Sequence, residues 1–200
     1  MHVLDTLISR GFIQQSTDAT ALRKALDAGR ISFYVGFDPT GDSLHVGHLL
    51  PVMAMAHLQR AGHRPIIVLG GGTAMVGDPS GKDKTREFIT EDQIRHNMAG
   101  QRVQFGRFLD LEQQGQDDGP VMVDNGAWLK SLNYIEFLRD IGRHFSVNRM
   151  LSAESARQRL ERNQGLSFIE FNYHLLQSYD FLVLHQRYGC TLQLGGDDQW

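Results

Sequence analysis

The fold is decided by the stretch Ile31-Ser32-Phe33-Tyr34-Val35-Gly36-Phe37-Asp38-Pro39-Thr40-Gly41-Asp42. A helical pattern follows from His45 to Ala61, and then an apolar run from Ile66 to Leu69. Residues 31 to 37 are mainly β-branched or aromatic and predict a strand, which the turn formers after Phe37 end. A strand, a helix of about fifteen residues and a second strand make a βαβ unit, whose strands are parallel. The sequence therefore predicts an α/β fold built on a doubly wound parallel sheet.

The rest of the chain continues this alternation of helices and strands. Capping residues and apolar spacing mark the boundaries, with Ser16 expected as one N-cap and Thr90 as another. The further predicted helices span residues 2–10, 17–28, 90 to about 111, 133–142, 152–162 and 167 to about 188, and the further strands span residues 121–123 and 190–194.

Composition excludes several classes of protein. With 200 residues, 41% of them hydrophobic, and a net charge of −3, the chain is neither a disordered polyelectrolyte nor a generally basic nucleic-acid binder. The single cysteine, Cys190, allows no disulfide framework, which favours a reducing compartment and hence the cytoplasm. No apolar run reaches the roughly 18 residues of a membrane span, so we expect a soluble protein without a membrane partner or signal peptide.

Three loops rich in glycine and aspartate follow predicted strands, at residues 36–48, 70–82 and 195–200. Ligands of open parallel sheets bind at the carboxyl ends of the strands, so we expect the site there. His45 and His48 lie at a helix start, which Pro51 places close to Gly47 or His48. Backbone and imidazole N–H groups at the positive end of a helix suit a polyphosphate. Two alternatives are histidines without a role and a metal site, for which no third ligand lies in register.

A strand followed by Phe37-Asp38-Pro39-Thr40 and then His45-Val46-Gly47-His48 resembles the first signature of the class I aminoacyl-tRNA synthetases and related nucleotidyltransferases. Nearly the whole chain is similar to the bacterial tyrosyl-tRNA synthetases. The motifs that carry this resemblance are Tyr34 to Leu49, Gly77-Asp78-Pro79-Ser80, Phe137 to Asn148, Leu176 to Phe181 and Leu194 to Trp200. The resemblance implies a Rossmann-like catalytic domain over residues 1–200, with a helical dimerisation segment inserted at residues 125–168.

The same resemblance implies activation of L-tyrosine with ATP to tyrosyl-adenylate and pyrophosphate, and then transfer of tyrosine to tRNA(Tyr). Mg²⁺ would accompany the ATP phosphates. Carried over by motif, the implied catalytic residues are Thr40, His45 and His48. The implied ATP-binding residues are Gly36, Asp38, Thr40, His45, Gly47, His48, Gly196 and Asp198. The implied tyrosine-binding residues are Tyr34, Asp78, Asn125, Tyr173, Gln177, Asp180, Gln193 and Gln199. Asp197 stands where most of the family has serine, and it receives no role.

The implied tyrosine pocket makes chemical sense. Tyr34 and Asp180 would bracket the substrate phenol, and phenylalanine would leave both of these buried groups unpaired. Tyr173, Gln177 and Asp180 are spaced i, i+4 and i+7, so they share one helix face. The alternative is that this stripe is ordinary core, that Tyr34 only packs, and that Asp78 is a turn former.

The resemblance also sets expectations about parts and partners. The lysine-rich second signature loop and the anticodon-binding domain would follow residue 200, so we expect the 200-residue piece to be weakly active or inactive. A homodimer is expected through Trp128, Phe137, Phe145 and Phe168, unless these pack within the subunit. Basic side chains that could meet tRNA, or simply be solvated, are Arg143, Arg149, Arg157, Arg159 and Arg162. Lys82 and Lys84 are interpreted as a solvated basic face.

Three other functions stay open at this point. A tryptophanyl-type synthetase has a similar scaffold but no need for the pair Tyr34 and Asp180. Small adenylyltransferases share the region from Phe37 to His48 but lack the Leu-Gln-x-Tyr-Asp helix. A non-catalytic paralogue would bind tyrosine or RNA and form no adenylate.

Overall fold

Four parallel strands form the centre of the part of the chain that the computed structural model describes, namely residues 2–76, 89–112, 114, 119–152, 154–161 and 167–196. The strands are β1 (Ser32–Phe37), β2 (Arg64–Leu69), β3 (Val121–Asp124) and β4 (Cys190–Gln193). They pair in the order β3-β2-β1-β4, so the chain crosses the sheet from β1 outward in both directions. The predicted α/β fold with a parallel sheet is confirmed.

Nine α-helices surround or follow these strands in the described residues. They are α1 (Val3–Ser9), α2 (Ala19–Ala28), α3 (Val46–Arg60), α4 (Glu91–Phe105), α5 (Gly126–Leu129), α6 (Tyr134–Asp140), α7 (Val147–Leu151), α8 (Glu154–Glu161) and α9 (Phe168–Tyr188). Two short 3₁₀ turns lie at Thr73–Met75 and Gly142–His144. No helix in the described ranges combines the length and apolarity needed to cross a membrane.

Alternation along β1 gives the sheet two different faces. Phe33, Val35 and Phe37 belong to the core that α3 and α4 cover. Tyr34 lies in the second core, with Trp128 and with residues of α9. Because side chains two apart along a strand share a face, Gly36 is on the same side of the sheet as Tyr34. The α9 side of β1 therefore carries both residues that sequence analysis assigned to ligands.

Several predicted boundaries are wrong by a few residues. The N-cap of α2 is Asp18, not Ser16, because Asp18 accepts a hydrogen bond from the amide of Ala21 at 2.9 Å. Helix α4 ends at Phe105 and not near Leu111, since Gly106 caps it. The short helices α5 and α7 were not predicted.

The start of α3 also differs slightly from the prediction. The helix begins at Val46 with His45 as its N-cap, so Pro51 lies in the second turn. A proline there has no N–H to donate to the carbonyl of Gly47.

Candidate active site

The loops after β1, β2 and β3 meet at the carboxyl edge of the sheet. The amide of Gly70 donates to the carbonyl of Phe37 at 2.9 Å, and the amide of Asn125 donates to that of Leu69 at 3.0 Å. Beside them, the amide of Leu194 donates to the carbonyl of Tyr34 at 3.0 Å. The strand ends are therefore locked together where ligands of parallel sheets bind.

A hydrogen-bonded network joins these loops to α9. The Tyr173 hydroxyl donates to Asp38 Oδ2 at 3.2 Å, and the Thr73 hydroxyl donates to Asp38 Oδ1 at 2.7 Å. Asn125 Nδ2 in turn donates to Thr73 Oγ1 at 3.1 Å and to Asp180 Oδ2 at 2.9 Å. One network thus runs from the loop after β1 to the middle of α9.

Asp180 is the charged end of this network and is only 4% exposed. Besides the Asn125 amide, its carboxylate accepts the indole N–H of Trp128 at 2.7 Å. Burial raises the pKa of Asp180 to about 6, although these two hydrogen bonds act in the opposite direction. The negative charge of Asp38 also raises it. Asp180 is therefore a buried acceptor that is mostly ionised at neutral pH.

Tyr34 carries a buried hydroxyl for which the described residues supply no hydrogen-bond partner. Burial raises the pKa of this phenol well above its ordinary value, and the negative charge of Asp180 raises it further. The phenol consequently stays protonated and can donate. A buried hydroxyl without a partner costs free energy, so its environment is better suited to a ligand that pairs with it.

Glycines shape the space around these side chains in two opposite ways. No described residue comes within 4 Å of a Cβ built on Gly36, so the part of the chain that the structure describes leaves the α9 side of β1 open there. A Cβ on Gly70 would lie 1.9 Å from Asp38 Oδ1 and 2.4 Å from Thr73 Oγ1. Gly36 thus borders free space, whereas Gly70 lets the network approach the backbone.

His45 and His48 form a reciprocal cap at the start of α3. His45 Nδ1 accepts the amide of Gly47 at 3.0 Å, and His48 Nδ1 accepts the amide of His45 at 3.3 Å. The two rings stack with their centroids 3.7 Å apart. Because both Nδ1 atoms accept, each neutral ring carries its proton on Nε2. Burial and the neighbouring His45 lower the pKa of His48, which favours this neutral form.

The same cap explains Gly47. A Cβ at this position would lie 2.9 Å from the His45 ring. A larger residue would make the His45 ring shift, so glycine suits the position that the ring holds in the cap.

The structure brings together Tyr34, Asp38, Asn125, Tyr173 and Asp180 among the predicted site residues. Others lie at the edges of the group. Gln177 is half-buried on α9, and Gln193 is the partner of Tyr34 in the pairing of β1 with β4. Thr40 and Gly196 are exposed. Asp78, Asp198 and Gln199 lie outside the described residues.

Sequence reasoning missed two members of this network. Thr73 directly follows the three glycines 70–72 and could have been suspected from that position. Trp128 was expected on a dimer surface, with packing inside the subunit as the alternative. It is 4% exposed and bound to Asp180, so the alternative is correct.

Comparison with known proteins agrees with this geometry. Residues 26–200 match the family model described as tRNA synthetases class I (W and Y), and the chain belongs to that family. Its relatives include the tyrosine–tRNA ligases of Clostridium botulinum (strain Eklund 17B / Type B) and of Desulfatibacillum aliphaticivorans. Each is 58% identical and aligns with 100% of this chain, which covers 48% of the first protein and 45% of the second.

A solved structure agrees as well. The C-terminally truncated mitochondrial tyrosyl-tRNA synthetase of Aspergillus nidulans superposes with a TM-score of 0.87 at 32% identity. That match covers 99% of this chain and 57% of the other. The chain therefore spans about half the length of the curated relatives that it matches.

Proposed function

We propose that the protein carrying this chain activates L-tyrosine with ATP, forming tyrosyl-adenylate and pyrophosphate, and then transfers tyrosine to tRNA(Tyr). The observation that carries this proposal is the buried, unpartnered hydroxyl of Tyr34, close enough to Asp180 for the carboxylate to raise its pKa. The names of the relatives, tyrosine–tRNA ligase, support the same activity.

A substrate phenol satisfies both buried groups at once. Its O–H donates to the Asp180 carboxylate, and its oxygen accepts the proton of the Tyr34 hydroxyl. Phenylalanine would leave both groups unpaired. An indole offers only an N–H donor, so tryptophan would leave the Tyr34 hydroxyl unpaired. This asymmetry favours tyrosine over tryptophan within a family that covers both.

The remaining pocket residues have complementary roles in this proposal. Tyr173, Gln177 and Asp78 hold the substrate α-ammonium group, and Asn125 holds Asp180 in place. Gln193 on β4 lines the pocket, and Gln199 contributes to tyrosine binding. The hydrogen bond between Tyr173 and Asp38 supports placing the amino-acid pocket directly beside the nucleotide site.

The nucleotide lies against the loop after β1 and the start of α3. The Nε2–H groups of His45 and His48, with Thr40, donate to phosphate oxygens, and Gly47 permits close approach to the helix terminus. Asp38 and the open backbone at Gly36 border the adenylate. The ribose contacts fall to Gly196 and Asp198, whose loop follows β4. Mg²⁺ would be held through the ATP phosphate oxygens, so it would need no protein cage of its own.

The reaction itself needs no protein base. The tyrosine carboxylate, already ionised at neutral pH, attacks the α-phosphorus of ATP, and the bond to the departing pyrophosphate breaks. Catalysis then comes from alignment of the two substrates and from donors at the charged phosphates. The imidazole Nε2–H groups are suited to that work because they donate without having to lose a proton.

We also propose a cytoplasmic homodimer whose interface uses the segment 125–168. This segment exposes Tyr134, Ile135, Val147 and Leu160, and Phe168 at its end is 67% exposed. Large apolar side chains exposed in one segment favour an interaction site there. Exposed Arg143, Arg149 and Arg157 supply positive charge for tRNA. The free, buried Cys190 fits a reducing compartment.

Pyrophosphate exchange tests the activity. We expect the full-length natural protein to incorporate labelled pyrophosphate into ATP when tyrosine is present, and not with phenylalanine or tryptophan. Residues 1–200 alone should be weak or inactive. Exchange that requires tryptophan, or no exchange with any amino acid by a folded full-length protein, would contradict the proposal.

A further inference from the structure

One face of α4 binds the loop that joins β1 to α3. Asn97 Nδ2 donates to the carbonyl of Pro39 at 2.8 Å, and Gln101 Nε2 donates to the carbonyl of Gly41 at 3.1 Å. Near the end of the loop, the amide of Leu44 donates to a side-chain oxygen of α4, Gln104 Oε1, at 2.8 Å. With Gly100, these α4 residues are spaced i, i+3, i+4 and i+7, and we call them the amide face.

The amide face is buried to a degree that is unusual for amide side chains. Asn97 is 3% exposed and Gln101 is 1% exposed. Burying an amide is costly unless it is hydrogen-bonded, so these residues are stable in place only while the loop occupies its position. Asn97 is further oriented by Gln93, whose amide donates to its oxygen at 2.9 Å. The side chains and the loop therefore hold each other.

Gly100 brings the loop backbone against the helix itself. A Cβ at this position would lie 2.1 Å from the carbonyl oxygen of Asp42. Alanine would be the better helix former by about 1 kcal/mol, so the glycine is costly for the helix alone. What it permits is direct contact between α4 and the loop.

The anchored groups surround the part of the loop that faces the proposed phosphates. The two anchored carbonyls belong to Pro39 and Gly41, on either side of the exposed Thr40. Carbonyl oxygens repel phosphates. Because the amides of α4 bind these two carbonyls, their oxygens point toward the helix. Leu44, fixed by Gln104, directly precedes the N-cap His45.

We propose that the amide face of α4 is a positioning device for the nucleotide loop, setting Thr40 and His45 for ATP without touching the substrate. This inference rests on the proposed function, since it concerns ATP at the same site. It assigns α4 to the nucleotide half of the reaction. The pair Tyr34 and Asp180 lies on the other face of the sheet.

Hydrogen-bond direction distinguishes two variants, one at the buried Gln101 and one at the half-buried Gln104. In Gln101→Glu the donor to Gly41 is replaced by an oxygen that repels the carbonyl. In Gln104→Glu the acceptor for Leu44 is kept. Measured by pyrophosphate exchange in the full-length protein, Gln101→Glu should lower kcat/KM for ATP about ten- to hundredfold. Gln104→Glu should stay within about twofold of the wild type. The KM for tyrosine should be unchanged in both.

The outcomes separate this inference from the proposed function. A wild-type protein that shows no tyrosine-dependent exchange refutes the function itself. The positioning role is overturned if the wild type is active and Gln101→Glu is equally active. It is also overturned if Gln101→Glu weakens the kinetic parameters for tyrosine and for ATP alike. A loss of kcat/KM for ATP in Gln104→Glu as large as that in Gln101→Glu would overturn it as well. If Gln101→Glu does not fold, the uncharged Gln101→Leu makes the same comparison, with a loss of about tenfold for ATP only.

Discussion

The indole N–H of Trp128 donates to the carboxylate of Asp180 at 2.7 Å, so a residue of the short helix α5 fixes the orientation of a buried charge on α9. Behind the indole, the guanidinium of Arg187 lies 5.6 Å from the ring centroid. Hydrogen bonds to a buried carboxylate favour its ionised form. Trp128 therefore helps to keep Asp180 available as an acceptor for the substrate phenol.

Replacing Trp128 by phenylalanine tests this role. Trp128→Phe keeps an aromatic side chain but removes the donor, so the pKa of Asp180 should rise above its value of about 6. Tyrosine affinity at pH 7 should fall, by about 1–3 kcal/mol of binding free energy. Calorimetric titration from pH 5.5 to 8 measures the affinity for tyrosine as Asp180 becomes protonated. The midpoint of the loss of affinity on lowering the pH should lie at a higher pH in Trp128→Phe than in the wild type. The control is Tyr179→Phe, because Tyr179 is half-buried on the same helix as Asp180. An equal loss of tyrosine affinity in this control would contradict the role of Trp128.

The raised pKa of Asp180 also predicts the pH dependence of stability. The pKa of Asp180 is about 6 in the folded protein, against an ordinary value of 3.8 for an aspartate carboxyl, so between these two pH values the folded state keeps a proton that the unfolded chain releases. The contribution of Asp180 to the free energy of unfolding is therefore fully present at low pH, and it is lost as the pH rises through about 6. Relative to Asp180→Asn, the wild-type free energy of unfolding should drop by about 2 kcal/mol between pH 4.5 and 7.5. Urea denaturation at both pH values measures this, and a difference that does not change with pH would be a contrary result.

Two glycines should respond to alanine in opposite ways. Gly36→Ala meets open space in the empty protein, so stability should stay within about 0.5 kcal/mol of wild type while nucleotide binding is lost. Gly70→Ala must displace Asp38 and Thr73, so it should destabilise the protein by about 1–3 kcal/mol. Thermal unfolding and ATP titration distinguish the two. Normal ATP binding by Gly36→Ala would show that the adenylate does not lie there.

The cap and the phosphate contact of His45 can be separated by substitution. Asparagine is a good N-cap, so His45→Asn should keep the stability of α3, whereas His45→Ala should lose about 1 kcal/mol. Both variants lack the Nε2–H donor, and both should lose exchange activity. Tyrosine binding measured by calorimetry should be normal in both. Full activity in His45→Asn would mean that capping is the only role of His45.

The fold was largely predictable because its signals are local. The run 31–37, the turn formers after it and the second apolar run at 66–69 fix a βαβ unit without knowledge of distant contacts. The boundaries that were wrong depend on competition between near-equal residues. Ser16 and Asp18 are both good caps, and only the packing of α2 decides between them.

The site was predictable only in part. The family resemblance implied Tyr34, Asp38, Asn125, Tyr173 and Asp180. The structure links all of these except Tyr34 in one hydrogen-bonded network, which also includes Thr73 and Trp128. From the sequence, Trp128 was expected at an interface, because nothing in the neighbouring sequence shows that its N–H reaches Asp180, 52 positions away. The amide face of α4 was missed for the same reason. Its partners are two backbone carbonyls and one backbone amide of a loop about 60 residues earlier, and no sequence pattern records which backbone group a side-chain amide meets.

Recognition of a phenol by Tyr34 and Asp180 is tested by calorimetric titration of the wild-type protein and of Tyr34→Phe with tyrosine, phenylalanine and tryptophan. We expect the wild type to bind tyrosine far better than the other two amino acids. In Tyr34→Phe the preference for tyrosine over phenylalanine should fall by about tenfold, while the empty protein becomes more stable because an unpartnered buried hydroxyl is gone. A wild type that does not prefer tyrosine, or a preference unchanged in Tyr34→Phe, would contradict the claim that these buried groups recognise a phenol.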